Sequence, residues 1–373
     1  MPNSALQTGA AYARLSLALG RVRHVLAPKQ ESDMGIQDRD YMKCLPDDDA
    51  ERLKTARQDS GVARPSLFPR VILCVLLLAW IAGSGCSLLR RSALNQFANA
   101  VADSGTTFAS DEDPDLVKAA APFSLKLMES LLAETPHHQG LLSAAASGFT
   151  QYAFAFVQQE ADELEARDLA AAEALRTRAR RLYLRAHTYG LRGLEVEHPG
   201  FTNALLANPR AAVRAATEAD LPLLYWTAIA WAAAISLSKD NPELVAQIPA
   251  MEALIDRALE LDESYGRGTI HTFLVTYEMS RQGAPGDPAA RARKHFEHAM
   301  ALSEGKDATP LVALAEAVAV KTQDVKEFES LLNRALAINP DANPDTRLPN
   351  LVMQRRARWL LSRKAELFLI ENK

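Results

Sequence analysis

The sequence is poor in cysteine and in aromatic residues. Its 373 residues include 3 Cys, and Phe, Trp and Tyr together make up 6%. The thiols are Cys44, Cys74 and Cys86, so no disulfide forms beyond residue 86 and a disulfide-stapled scaffold is excluded. A positive charge excess is also missing. The formal net charge is -4, which argues against nucleic acid as a partner. A single stretch is apolar enough to enter a bilayer, which excludes a polytopic membrane protein. No GxSxG, P-loop, GxGxxG or HExxH pattern occurs, so nothing here calls for a catalytic nucleophile, a cofactor or a metal. Period-2 strand patterns are absent as well. What is present is 48% hydrophobic residues, mostly Ala and Leu, and that composition favours helix.

The apolar stretch is VILCVLLLAWI, Val71 to Ile81. Arg64 and Arg70 precede it, and Ala82, Gly83, Ser84 and Gly85 lead to Cys86. A basic region, a short apolar run and small residues form a secretory signal. A Cys directly after small residues resembles a bacterial lipobox, in which the thiol is acylated and Cys86 becomes the first mature residue. Gly83 stands where that box usually has Leu. The other reading is an uncleaved anchor, because Val71 to Leu89 runs uncharged for long enough to span. Either way, the remainder lies outside the inner membrane. Residues 1–61 read as a disordered extension or as sequence upstream of the true start, with Val62 the expected start. Residues 62–85 read as the lipoprotein signal peptide and 86–373 as a helical domain.

That domain has no Gly-rich or Ser-rich linker. Short breaks punctuate it at 134–140, 197–201, 208–210, 239–243, 282–288 and 339–345, and apolar residues recur at helical spacing between them. A triplet repeats at positions 0, +4 and +7: Ala179, Tyr183, Ala186; Met251, Ile255, Ala258; Ala292, Phe296, Ala299; and Phe328, Leu332, Ala335. Ser124, Met128 and Leu131 form a diverged first copy. Such positions share one helix face, and their small residues let neighbouring helices approach. This is the second-helix signature of a tetratricopeptide repeat. The expected architecture is all-α, an α-solenoid of divergent tetratricopeptide-like helix pairs with a concave binding face. The interval between the first two full triplets is about twice the later ones, so an insertion is expected there.

Chemistry-bearing residues are sparse. His295 and His298 are one turn apart, a spacing that can place both on one metal, but only Glu297 and ordinary surface carboxylates are nearby, and the pair reads as a solvated helix face. Asp111, Glu112, Asp113 and Asp115 precede a helix start and read as caps. RRARWLLSRK (355–364) reads as the solvated side of a C-terminal capping helix, with a ligand carboxylate or acidic partner as the alternative. Two aromatic stretches stand out in an aromatic-poor chain. SGFTQYAFAFVQQEAD (147–162) puts Phe149, Tyr152 and Phe156 on one face, and PLLYWTAIAWAAAISLSKD (222–240) carries Tyr225, Trp226 and Trp231 among alanines. Core packing and an apolar pocket are both open to them.

These stretches, with RRLYLRAHTYGLRGLE, RALELDE, GTIHTFL and QRRARWLLSRKAELF, closely resemble the T-component family of TRAP (tripartite ATP-independent periplasmic) transporters. The resemblance implies a tetratricopeptide-repeat lipoprotein of the bacterial periplasm, working with a solute-binding protein. It also implies a homotrimer whose subunits enclose a cavity suited to apolar ligands. Phe149, Tyr152, Phe156, Tyr225, Trp226, Trp231, His271 and Phe273 are the expected lining. Ser87 after Cys86 suggests the inner leaflet of the outer membrane. No enzymatic activity is expected. The competing reading is an envelope scaffold that grips other proteins and carries no small ligand. Intact-mass analysis and N-terminal mapping of the native protein are expected to show a chain beginning at an acylated Cys86. A peptide from residues 10–50 in the cell would contradict this.

Overall fold

A computed structural model describes residues 94–103 and 105–369, and all of them fall in one compact unit, Leu78–Lys373. The apolar run 71–81 and Cys86 lie outside the described residues. Helices and their connections account for the described chain, and no strand occurs in it. The main helices are α1 (Pro114–Glu134), α2 (Gln139–Tyr152), α3 (Gln159–Leu164), α4 (Leu169–Glu197), α5 (Phe201–Ala207) and α6 (Leu221–Ser236). They are followed by α7 (Ile248–Leu261), α8 (Tyr265–Tyr277), α9 (Pro288–Leu302), α10 (Thr309–Leu314), α11 (Val325–Ala337) and α12 (Arg347–Ser362). Every break anticipated from Pro, Gly and Asn falls between helices.

The helix starts are written in the sequence. Asp113 accepts from the amides of Asp115 and Leu116, both at 3.0 Å, ahead of Pro114. The acidic cluster is thus a cap, as read. Asp168, Asp287 and Asp324 cap α4, α9 and α11 in the same way. An imidazole does it for α2, where His138 Nδ1 accepts from the Leu141 amide at 3.1 Å. Each such cap satisfies a backbone donor that the helix cannot use and contributes about 1 kcal/mol.

Successive helices pack on one another in chain order, α1 on α2, α2 on α4, α4 on α6, α6 on α7, and so on to α11 on α12. The repeat triplets face inward. Ala179, Tyr183, Ala186, Met251, Ile255, Ala258, Ala292, Ala299, Phe328, Leu332 and Ala335 are all buried, and Phe296 packs on the core from its edge. The long interval after the first triplet is filled by α5, α6 and the short turns between them.

The tightest contact joins α4 to α6. A Cβ on Gly190 would lie 2.0 Å from Thr227 Oγ1, and one on Gly193 would lie 2.5 Å from Leu223 Cδ2. Two glycines three residues apart therefore remove the side chains that would hold α6 away. Helix α6 is apolar around its whole circumference, because α2, α4 and α7 all cover it.

The stack returns to its beginning. Helix α12 touches both α1 and the short helix Gly105–Ala109. Arg347 donates to the Ser110 carbonyl at 3.1 Å. Arg355 forks onto Glu163, at 2.9 and 2.6 Å.

Replacing Gly190 with Ala is expected to lower stability by about 1–3 kcal/mol through overpacking. Adding Thr227→Ala should recover part of that loss, because the two sites are in contact. Urea unfolding of the single and double variants checks this, and purely additive losses would refute the close-approach account.

Candidate functional site

The aromatic residues singled out from sequence sit in two separate buried clusters. Phe149, Tyr152 and Phe156 belong to the first, with relative exposures of 3%, 7% and 7%. Tyr189 stacks on Phe149 at 5.9 Å between ring centroids, and the Arg185 guanidinium covers the Phe149 ring. Tyr225 and Trp231 belong to the second cluster, while Trp226 and Phe273 pack on it half-buried. Trp231 donates its indole N–H to Gln247 Oε1 at 3.0 Å and lies against the His187 ring. Burial pushes the His187 imidazole down to about 4, so it is neutral there. The Tyr225 ring meets Trp226 at 4.9 Å and Tyr265 at 5.5 Å.

Tyr265 also lines a surface cavity of about 490 Å³, together with Glu218, Leu221, Pro222, Leu261 and Asp262. A second cavity, of about 420 Å³, lies between α9, α10 and α11 and is bordered by Met300, Leu311 and Ile338. Tyr225 is thus one ring away from a surface opening of mixed polarity. The first aromatic cluster borders neither cavity.

A charged junction lies where α12 meets α3. Arg356 is buried and donates to Glu316 Oε2 at 2.9 Å and to Asp162 Oδ2 at 2.9 Å. The reading of 355–364 as a solvated face holds at Arg355 and Arg358, which are exposed, and is corrected at Arg356, which is buried against carboxylates of its own chain. Both carboxylates of Arg356 adjoin irregular helix. Glu316 lies in a π-helical turn, Ala315–Ala319, and Asp162 lies one turn after another, Ala153–Gln158. Helical stretches of this kind are rare and concentrate at functional sites. Gln159 follows the second one, and neither atom of its buried amide has a hydrogen-bond partner.

Burial is the larger influence on Asp162 and lifts its carboxyl above the usual range, although Arg356 pulls the other way. Burial also disfavours the Arg356 charge, but the bonds from Glu316 and Asp162 outweigh it and hold the guanidinium protonated.

Three histidines meet elsewhere, which the sequence reading did not anticipate. His271 of α8 is buried, and its Nδ1 lies 2.8 Å from His295 Nδ1 on α9. The His298 ring stacks on His271 at 4.8 Å between centroids. Glu263 Oε2 stands 3.6 Å from His271 Nε2. His295 and His298 are therefore half-buried against a partner helix. Burial, with the neighbouring His271 ring, pushes His295 down to about 4. Burial also lowers His271, helped by His298 and opposed by Glu263.

No strand among the described residues and helices packed on one another in chain order define an all-α protein. The chain belongs to the TRAP transporter T-component family, whose sequence profile matches residues 110–368. It is also similar to an uncharacterized protein of Treponema pallidum (strain Nichols). The two are 29% identical over 316 residues, which is 80% of this chain and 98% of the relative. Membership in this family makes the chain an accessory component of TRAP transport. Among the described residues, no helix is long and apolar enough to cross a membrane.

Asp162 gives the junction a definite pH signature. A raised carboxyl contributes stability below its ordinary value of 3.8, and that contribution is lost as pH rises through the raised value. Arg356 makes the charged form tolerable at neutral pH. Arg356→Leu is expected to cost about 3 kcal/mol at pH 7, the low end for a broken buried pair because Glu316 is 38% exposed. The deficit should shrink at pH 4, because acidification removes the Asp162 charge that the variant leaves unpaired. Denaturation at both pH values checks it, and an equal deficit at both would refute it.

Proposed function

We propose that this chain is the lipid-anchored periplasmic component of a TRAP system. In this reading it binds or channels an apolar or amphipathic organic ligand in concert with a solute-binding protein. The observation that carries the ligand part is the opening at Tyr265, where Leu221, Pro222 and Leu261 share the lining with Glu218 and Asp262, and the Tyr225 ring lies behind Tyr265. Its volume of about 490 Å³ falls in the range of small-molecule sites. A lining that mixes Leu221, Leu261 and Tyr265 with Glu218 and Asp262 suits a molecule with both apolar and polar parts. The anchor is Cys86, at the end of the signal-like run, and the location is the periplasm, at the inner leaflet of the outer membrane. The functional unit is a homotrimer, and the chain performs no catalysis of its own.

One observation favours the scaffold reading instead. Phe149, Tyr152, Phe156 and Trp231 are filled on all sides by neighbouring side chains, as core residues are.

Native mass spectrometry of protein purified from its own host separates the two. The ligand reading expects a small-molecule adduct. Tyr265→Ala and Leu261→Ala should each reduce its occupancy several-fold, since each removes a side chain from the lining. A uniformly empty chain, in the wild type as in the variants, would leave the scaffold reading standing and refute ligand carriage.

A further inference from the structure

The histidine cluster between α7, α8 and α9 is independent of the transport reading. We propose that Glu263, His271 and His298 form a binding site for a zinc-class divalent cation, with His295 orienting His271 from behind. The ligating atoms of these three residues all lie within 4.8 Å of one another.

The argument starts from the Nδ1–Nδ1 contact of His271 and His295, 2.8 Å long. A hydrogen bond there needs one proton between two neutral rings. If His271 supplies it, His271 Nε2 is a bare lone pair. It is buried, has no hydrogen-bond partner and faces the Glu263 carboxylate at 3.6 Å. Two electron-rich atoms aimed at each other call for a cation between them. If His295 supplies the proton instead, His271 Nε2–H points at Glu263 across a gap too long for a hydrogen bond. Only the first arrangement leaves Nε2 able to ligate, so an ion bound there selects the tautomer in which His271 Nδ1–H is held by His295 Nδ1.

The donor chemistry selects the ion. Two imidazoles and one carboxylate suit zinc and its neighbours, whereas calcium and magnesium prefer oxygen alone. Zinc bonds to N and O at about 2.0–2.2 Å, so a tetrahedral shell holds its donors roughly 3.3–3.5 Å apart. The cluster is slightly wider than that. The Glu263 side chain is 63% exposed and free to swing inward, while the buried His271 stays fixed. Three protein donors leave a fourth position for water or an outside ligand. His271 coordinating through Nε2 while its Nδ1–H is held by a second residue is the usual way of fixing a metal-bound imidazole.

The backbone is shaped to bring these residues together. Gly266, Arg267 and Gly268 all have left-handed φ, at 54°, 61° and 91°. Arg267 is a non-glycine in that region and stores strain, which concentrates where a site over-determines the chain. This turn lets Glu263 precede α8 and still lie beside His271. Gly268 gives α9 its close approach, since a Cβ there would lie 3.1 Å from Leu302 Cβ and 3.2 Å from Ala299 Cα. His295 and His298, one turn apart on α9, are thereby set against His271.

The test uses the full chain, stripped with a chelator and titrated with zinc chloride by calorimetry, with thermal melting alongside. One equivalent of zinc should bind and raise Tm. Glu263→Gln and His298→Asn, which alter accessible side chains and should leave the helical circular dichroism intact, should each weaken binding by more than about tenfold. His295→Phe should weaken it by about 10–100-fold, the range for an orienting partner. His137→Ala, at an exposed position away from the cluster, should change nothing. An anomalous-scattering peak between Glu263, His271 and His298 would place the ion. Failure to bind zinc, equal binding by His298→Asn, or a peak elsewhere would overturn the proposal. Any of these outcomes leaves the transport reading untouched, because that reading rests on different residues.

Discussion

The contact between α4 and α6 sets the spacing of the helices on either side. Gly190 and Gly193 remove two side chains from one face of α4, and α6 fills that space with Leu223 and Thr227. A helix apolar on every face is stable in water only when it is surrounded, and α6 is surrounded because this approach is close enough to share a core with α2, α4 and α7. The same rule operates at Gly268, where α8 meets α9. Small residues at helix crossings thus decide which side chains meet, and the aromatic and histidine clusters are both consequences of those crossings.

A stack of helix pairs has two free ends, and each exposes apolar surface unless something covers it. Here α12 covers one end while reaching the other through Arg347, Arg355 and Arg356. Arg356 bridges residues 194 and 40 positions away in sequence, so it fastens the first and last thirds of the domain. The helix departs from regular geometry next to both of its carboxylates. That places the two irregular turns at one junction, with the unpartnered Gln159 amide beside it.

The architecture was legible in the sequence because it depends on local signals. Pro, Asn and Asp mark the breaks, and the 0, +4, +7 triplets mark the inward faces; both depend on neighbours within two helical turns. The sites were less legible because they depend on contacts between distant residues. His295 and His298 resemble surface residues until His271 is brought to them by three left-handed residues, and no helical periodicity announces that turn. Arg356 resembles a solvated charge until α12 folds back on α3. The aromatic residues were found from their local density, but their division into two clusters depends on how α2 and α6 pack, which density does not encode. The signal that could have pointed to the histidine cluster is the Gly-Arg-Gly run at 266–268, which interrupts a helical stretch just ahead of His271.

The family places this domain in TRAP transport. The most direct measurement is affinity capture of the chain from native envelopes, followed by quantitative mass spectrometry of what accompanies it. The account predicts a TRAP solute-binding protein in near-stoichiometric amount. Capture of the chain with unrelated envelope proteins and no solute-binding protein would contradict it.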